Sequence, residues 1–419
     1  MHFNPVSPLA ENMGLHKIGE HEPFLDSPLA DGQRLPNRSG RSDAYALRVY
    51  ENEIPPFVEV HLEKLYDNIY CSLARLRLYE SMEGISTFVA SDGNDIRFLI
   101  LFRLFRGVVK VVNQQIELRE HDIACFANEI FAVYPGVRRI EFYALNCTIH
   151  SSAFQYLYQQ IQQLEENVIE ISGNGNDYLR QLGSKTRCGI QKYMRKTVAD
   201  FPSYRFEVFA QDRVTIDLVS AVVRLTEMRM KFKHKPSYLG ADSIATLAKL
   251  ARTHGYITTI TIDGEICAAN LCFKVRDRHF AQVIAHDPRF NQYALGHQLN
   301  LQSILYSISD GAKEIWMMGG RSEEKARFHA RQRFLNSIVV YRTRFDALCS
   351  WPTFIRIVLR KRAMSARRFL RKKSLENNNP GRFVARLVHL TRHARAVVGK
   401  ASHVVWTFLA ARRDGDHTE

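Results

Sequence analysis

Between residues 279 and 328 apolar positions follow first a strand rhythm and then a helical one, and the rest of the chain is ordered around that stretch. Residues 279–286 read as a strand that stops at Asp287-Pro288. From about Ala294, Leu295, Leu299, Leu301, Ile304, Leu305 and Ile308 recur at helical spacing until Asp310-Gly311. A second strand-like run, 314–318, reaches Gly319-Gly320 and the polar stretch 321–325. A helix that opens directly after a strand presents N–H groups without internal partners and a partial positive charge, a natural seat for phosphate. Gly296 lets a bulky ligand come close to the backbone there.

Upstream, residues 58–78 predict one helix, with Leu62, Leu65, Ile69 and Leu73 on a common face. Strands follow at 86–90, 96–104 and 108–115, the first two joined by the hairpin turn 91–94. A helix at 121–131 and a strand at 138–145 complete that series, and 154–164 predicts a further helix before a short strand at 168–171. Residues 172–176 (SGNGN) break the chain and mark a boundary between two halves, 51–171 and 172–348. In the second half the expected order is a basic helix at 177–198, a strand at 204–209, helices at 215–230 and 243–253, a hairpin about Asp263-Gly264, and the stretch described above. A last strand is expected at 339–345, and residues 321–333 fit an exposed helix. Strands joined by tight turns predict an α/β (α+β) chain with mixed, mostly antiparallel sheets. A doubly wound nucleotide fold would instead need a helix between each strand pair.

Charge changes the picture at the ends. The formal net charge is +15, yet residues 351–419 hold sixteen Lys and Arg against four Asp and Glu, leaving the other 350 residues close to neutral. Residues 349–419 therefore read as a basic amphipathic helical tail, able to lie on an anionic membrane surface through 352–413 or to pack on protein. No recognisable nucleic-acid module accompanies the charge, so nucleic acid ranks last as a partner. Residues 1–50 are rich in Pro, Gly, Ser and charge and are expected to be disordered. Seven cysteines without a CxxC pair fit reduced thiols in a cytoplasmic setting. Neither a signal peptide nor an apolar run of spanning length is found. GxSxG, HExxH and GxxxxGK[ST] are absent, and His and Cys lack metal-ligand spacing, so no metal is expected.

Two segments carry a family resemblance. The order DP, Y-x-x-G, helix, Gly, strand, G-G-x-x-x-x-K-x-x-F over 287–328 resembles the C-terminal half of GNAT-type acyl-CoA acyltransferases. It is most similar to the CelD-like branch tied to cellulose and exopolysaccharide biosynthesis, related to the FemAB peptidoglycan transferases. Residues 177–198 (DYLRQLGSKTRCGIQKYMRKTV) resemble the segment that opens the catalytic half in that group. At the turn the branch has Tyr-Ser-Pro-Gly where this chain has Tyr293-Ala294-Leu295-Gly296, and Glu324-Lys325 stands where Tyr-Lys is usual.

The resemblance implies a tandem GNAT-like fold with a divergent first half. It implies transfer of an acyl group, acetyl or longer, from acyl-CoA to an amine or hydroxyl of a glycan, peptide or lipid acceptor in the cell envelope or an exopolysaccharide. The protein would be cytoplasmic or peripheral at the inner membrane. On that footing Tyr293, Gly296 and His297 would seat the pyrophosphate, with Lys185 and Arg187 meeting phosphates or an anionic acceptor unless they belong to a solvated face. His286 or Asp287 would serve as base, although each also suits a strand end or a turn. Glu227 would accept an amine proton or pair with Arg224 or Lys231. Gly320, Lys325 and Arg327 would meet the acceptor. Rival readings are a relative supporting resistance to cationic antimicrobial peptides, a FemAB-like enzyme using aminoacyl-tRNA, and a scaffold that has lost catalysis.

Overall fold

From Ala46 to Tyr341 the chain lays down one order of elements twice. The computed structural model describes residues 45–150, 154–319 and 322–351, with positions 355, 358 and 359 beyond them. The first copy is β1 (Ala46–Tyr50), α1 (Val58–Tyr66), α2 (Leu73–Tyr79), β2 (Ser86–Asp92), β3 (Asp95–Phe105), β4 (Val108–Val111), α3 (Glu120–Val133), β5 (Arg139–Leu145) and β6 (Leu157–Glu170). Two connecting helices follow, α4 (Gly175–Gln181) and α5 (Ser184–Asp200). The second copy is β7 (Arg205–Ala210), α6 (Ile216–Phe232), α7 (Ile244–His254), β8 (Gly255–Ile262), β9 (Glu265–Val275), β10 (Arg278–His286), α8 (Leu295–Ser309), β11 (Glu314–Trp316) and β12 (Arg331–Tyr341). A short helix, α9 (Ser322–Ala326), precedes β12, and α10 (Arg344–Cys349) follows it.

All twelve strands join one sheet in the order β1-β2-β3-β4-β5-β12-β6-β11-β10-β9-β8-β7. The order is symmetric about the β12–β6 pair. Every pairing is antiparallel except β4 with β5 and β10 with β11, which hold corresponding places in the two copies. The last strand of each copy is exchanged. β6 closes the first copy in sequence but pairs with β11 of the second, and β12 pairs with β5 of the first.

Packing follows from strand alternation. On one face of the second copy, Val219 and Leu225 of α6 and Leu250 of α7 cover Val283, Ala285 and Trp316. On the other, Ile190 of α5 and Leu301 and Ile304 of α8 cover Ile169, Ile315 and Met317. The first copy is held by aromatic residues, with Phe126 edge-on to Phe88, Phe102 and Phe142 at 5.0, 5.7 and 5.8 Å.

Several expectations are corrected. The helix expected at 154–164 is the start of β6. Leu157, Ile161 and Leu164 have helical spacing, but antiparallel pairing with β12 overrides it. The single helix at 58–78 is two, parted at Asp67, which takes a left-handed conformation (φ 46°), and by the 3-10 turn Ile69–Cys71. The last strand runs Arg331–Tyr341 rather than 339–345, so the exposed helix expected at 321–333 is confined to α9. Ala46–Tyr50, expected to be disordered, pairs with β2 as an edge strand. Residues 1–44 and almost all of the basic tail lie outside the described residues. No described helix is long and apolar enough to cross a membrane.

Candidate active site

β10 and β11 pair over three residues only, Arg278–Phe280 with Glu314–Trp316. Beyond them β10 runs on to His286, while the other strand turns away at Met318, whose φ of 59° is left-handed. The sheet opens there. The opening is sharpened by a bulge, since Ala281 faces Cys272 and Val283 faces Leu271, leaving Gln282 extra. Backbone groups along this edge of β10 have no strand partner, and one is taken by a side chain: Arg229 of α6 donates from Nη1 to the Ile284 carbonyl at 2.7 Å.

At the top of the opening stands the start of α8. It has no side-chain cap and no acid in its first turn, and its cap residue Ala294 is left-handed at φ 52°. The helix charge is thus left uncompensated, as an anion site requires. Gly296 is half-buried. A Cβ there would lie 2.9 Å from Nδ1 of His286, so the ring and the helix start fit together only because residue 296 lacks a side chain. His286 Nε2 bonds Asn291 Oδ1 at 2.9 Å. Burial lowers the His286 pKa, and the positive charges of Arg229, Lys233 and His297 lower it further. Burial likewise lowers that of His297, which Glu324 and Arg327 also influence. Basic side chains from α6, α8 and the segment after α9 therefore converge on one helix start.

Asp287 is buried and engaged in the turn, accepting from Arg289 N at 2.8 Å and Arg289 Nε at 2.7 Å. Burial pulls its carboxyl upward, but these bonds outweigh burial and hold it below the usual range. It shapes the entry to α8. Tyr293 is anchored from below, its hydroxyl donating to Asp200 at 2.9 Å and Lys196 lying 4.8 Å over its ring. α5 runs antiparallel to α8, as Thr197 meets Gln298 and Ile190 packs with Leu301 and Ile304. Lys185 and Arg187 therefore sit far from the start of α8, about 16 and about 14 Å before Lys196 along the α5 axis. Arg187 is turned to the Leu179 carbonyl at 3.2 Å. The basic residue of α5 beside the α8 start is Lys196. Glu227 is exposed on α6, and Arg327 is exposed after α9. Lys325 is not solvent-facing: its ammonium donates to the carbonyls of Met317, Met318 and Gly319 at 2.5, 2.7 and 2.6 Å and so fixes the wall opposite β10. Gly320 lies outside the described residues.

Two residues beside the opening were not singled out in the sequence. Tyr70, from the 3-10 turn of the first copy, donates to Gln282 Oε1 at 2.8 Å and lies 3.2 Å from Met318 Sδ, spanning both walls. Glu166 of β6 is 1 % exposed, and neither carboxyl oxygen has a hydrogen-bond partner among the described residues. No local motif marks either residue. The apolar run at 168–169 is the single hint in the sequence that Glu166 belongs to a strand.

Comparison with known proteins agrees with this geometry. Residues 184–326 match the family model described as an acetyltransferase (GNAT) domain. FemX shares the fold, with a TM-score of 0.51 and 7% identity over 69% of this chain and 96% of its own. L-PGS from Bacillus licheniformis aligns at a TM-score of 0.46 and 15% identity, over 74% of this chain and 97% of its own. The C-terminal domain of a putative lysylphosphatidylglycerol synthetase from Agrobacterium fabrum aligns at 0.40 and 12%, over 61% and 85%. No curated protein matches the chain. A GNAT domain implies acyl-CoA as co-substrate. Residues 184–326 form a GNAT-type acetyltransferase domain, and the protein is an acyltransferase built on a tandem GNAT-like fold.

Proposed function

We propose that the protein transfers an acyl group from acyl-CoA to an acceptor of the cell envelope or an exopolysaccharide, as a CelD-like relative of the FemAB enzymes. The observation that carries the donor half of this reading is the opening between β10 and β11 beneath an uncapped, cation-surrounded helix start. The start of α8, with His297, Arg229 and Lys233 around it, would hold the pyrophosphate. The unpaired edge of β10 at the Gln282 bulge would receive the pantetheine amides and thioester through backbone hydrogen bonds. His286 and Asp287 are read as shaping that seat, and Glu227 stays at its outer rim on α6. The envelope acceptor is supported by the CelD-like motifs at 177–198 and 287–328.

Calorimetry with acetyl-CoA and longer acyl-CoAs tests the donor, followed by a screen of glycan, peptide and lipid acceptors by mass spectrometry. Binding of at least one acyl-CoA in the micromolar range is expected. No binding at millimolar ligand would favour a scaffold without catalysis. A FemAB-like donor is the second reading, favoured by the fold shared with FemX. It predicts transfer from aminoacyl-tRNA and none from acyl-CoA.

A further inference from the structure

Tyr70 belongs to the first copy, yet its side chain ends in the second copy's opening. The 3-10 turn Ile69–Cys71 carries it there, and Asn68 Oδ1 fixes the turn by accepting from Tyr70 N at 2.9 Å. The side chain is buried. Its hydroxyl donates to Gln282 Oε1 at 2.8 Å and lies 3.2 Å from Met318 Sδ. Gln282 is the extra residue of the β10 bulge, and Met318 is where the other strand turns away. One hydroxyl thus joins the two walls two residues past their last pair, Phe280 with Trp316.

The ring and the wall it reaches are both held in place. Arg75 of α2 lies 4.7 Å over the Tyr70 ring, and Phe280 meets the ring edge-on at 6.1 Å. Phe280 in turn packs on Trp316 at 5.8 Å. On the facing wall, Asn167 Nδ2 and the Lys325 ammonium donate to the Met318 carbonyl at 2.9 and 2.7 Å. Groups packed this closely are costly to displace. The seat read above runs along β10 from the α8 start beside His286 down to the Gln282 bulge, about 13 Å for four residues. With the pyrophosphate at the upper end and the thioester at the bulge, whatever the thioester carries points on toward the closed base of the opening. Tyr70 stands there.

We propose that Tyr70 is the floor of the acyl seat and restricts the donor to short acyl groups, acetyl or propionyl. This rests on the acyl-CoA reading above and adds the acyl length to it. A longer alkyl chain would have to push the Tyr70 ring away from Arg75 and Phe280. It would also break the bond to Gln282 and leave that amide oxygen without its donor. In an open apolar pocket each buried methylene strengthens binding roughly fourfold. Here that gain ends where the chain meets the ring. Phe280 and Trp316, both buried, lie behind it, so removing the ring joins the seat to an apolar space. The first copy thereby sets the specificity of the second.

The test is calorimetry on the full chain with CoA and with acetyl-, propionyl-, butyryl- and hexanoyl-CoA. In the wild type, affinity is expected to rise no further after propionyl-CoA, with hexanoyl-CoA bound no more tightly than acetyl-CoA. In Tyr70→Ala the ratio of hexanoyl-CoA to acetyl-CoA affinity should rise about 10-fold or more. Tyr70→Phe keeps the ring and loses only the hydroxyl, so it should raise the ratio less than Tyr70→Ala does. Met318→Ala shortens the facing wall and should raise the ratio too, which keeps the test decisive if Tyr70→Ala does not fold. A wild type that binds hexanoyl-CoA about 10-fold tighter than acetyl-CoA overturns the proposal and leaves the acyl-CoA reading intact. So does a wild-type ratio retained in both alanine variants. Equal shifts in Tyr70→Phe and Tyr70→Ala also overturn it, because loosened walls rather than the bulk of the ring would then set the length. A wild type that binds none of the five ligands removes both readings.

Discussion

At β4 and β10 the two copies begin alike. Each strand has an antiparallel neighbour on one side and three parallel pairs on the other, β4 to β5 and β10 to β11. They then part. In the first copy the chain after β4 returns to β5: Gln115 N donates to the Ala144 carbonyl, Asn146 N donates to the Ile116 carbonyl, and Glu117 bridges to Asn146. Ile116 fills the gap, fully buried. The helix that follows, α3, carries Glu120 and Asp122 in its first turn, and Asp122 accepts from Arg119 N at 2.9 Å. Anion binding is thereby excluded twice, by closure and by charge. In the second copy nothing corresponding among the described residues spans from the turn 287–294 to the wall at 317–319, and the first turn of α8 has no acid. One fold is thus sealed in one copy and open in the other, and a few side chains decide which.

That contrast can be broken at several points. The largest effect is expected from Ile116→Ala in the sealed copy, which should cost about 2–5 kcal/mol of stability by urea unfolding. Acyl-CoA affinity in the surviving folded protein should be unchanged. Next is Gly296→Asp in the open copy, which sets a Cβ against the His286 ring and a negative charge at the helix start. Calorimetry should show acyl-CoA affinity reduced about 100-fold, or ~2.7 kcal/mol.

A third contrast concerns pH. Where β4 buries Val109, β10 buries His279 at the corresponding register position. Burial lowers the His279 pKa to about 4, with Asp310 pulling the other way. The unfolded chain therefore takes up this proton before the folded one does. Stability is full above the ordinary histidine value of 6.5 and is lost as pH falls from there toward 4, by on the order of 2 kcal/mol. Unfolding midpoints measured across that range should flatten in His279→Val. The smallest effect is expected from Ala294→Gly. Relief of the left-handed strain at φ 52° should raise stability by about 1 kcal/mol, seen as a higher midpoint.

The open copy was largely legible in the sequence. β10, α8 and β11 carry clean periodicity, and Gly296 marks the helix start at which the basic side chains gather. The first copy has no glycine-marked turn before α3, and this is what makes it read as the divergent half. β6 was not legible. Residues 157–164 (LYQQIQQL) space their apolar side chains as a helix does, and only antiparallel pairing with β12 makes them a strand. With β6 misread, Glu166 looks like one of several solvated acids beside Glu165 and Glu170. Tyr70 was hidden for a related reason. A helix over 58–78 gives it no special place, whereas the 3-10 turn aims it across the sheet at Gln282. Local patterns report what neighbours in sequence do, and these two residues act on a partner about 150 to 210 positions away.

The exchange of final strands bears on how this protein can be handled. The segment recognised by the family model, 184–326, contains neither β6 nor β12. Expressed alone, such a fragment would expose β11 as a raw edge, ready to add a strand from any other chain. Neither repeat is a portable module; each is completed by the other's thread, so the structural unit is the interlaced pair.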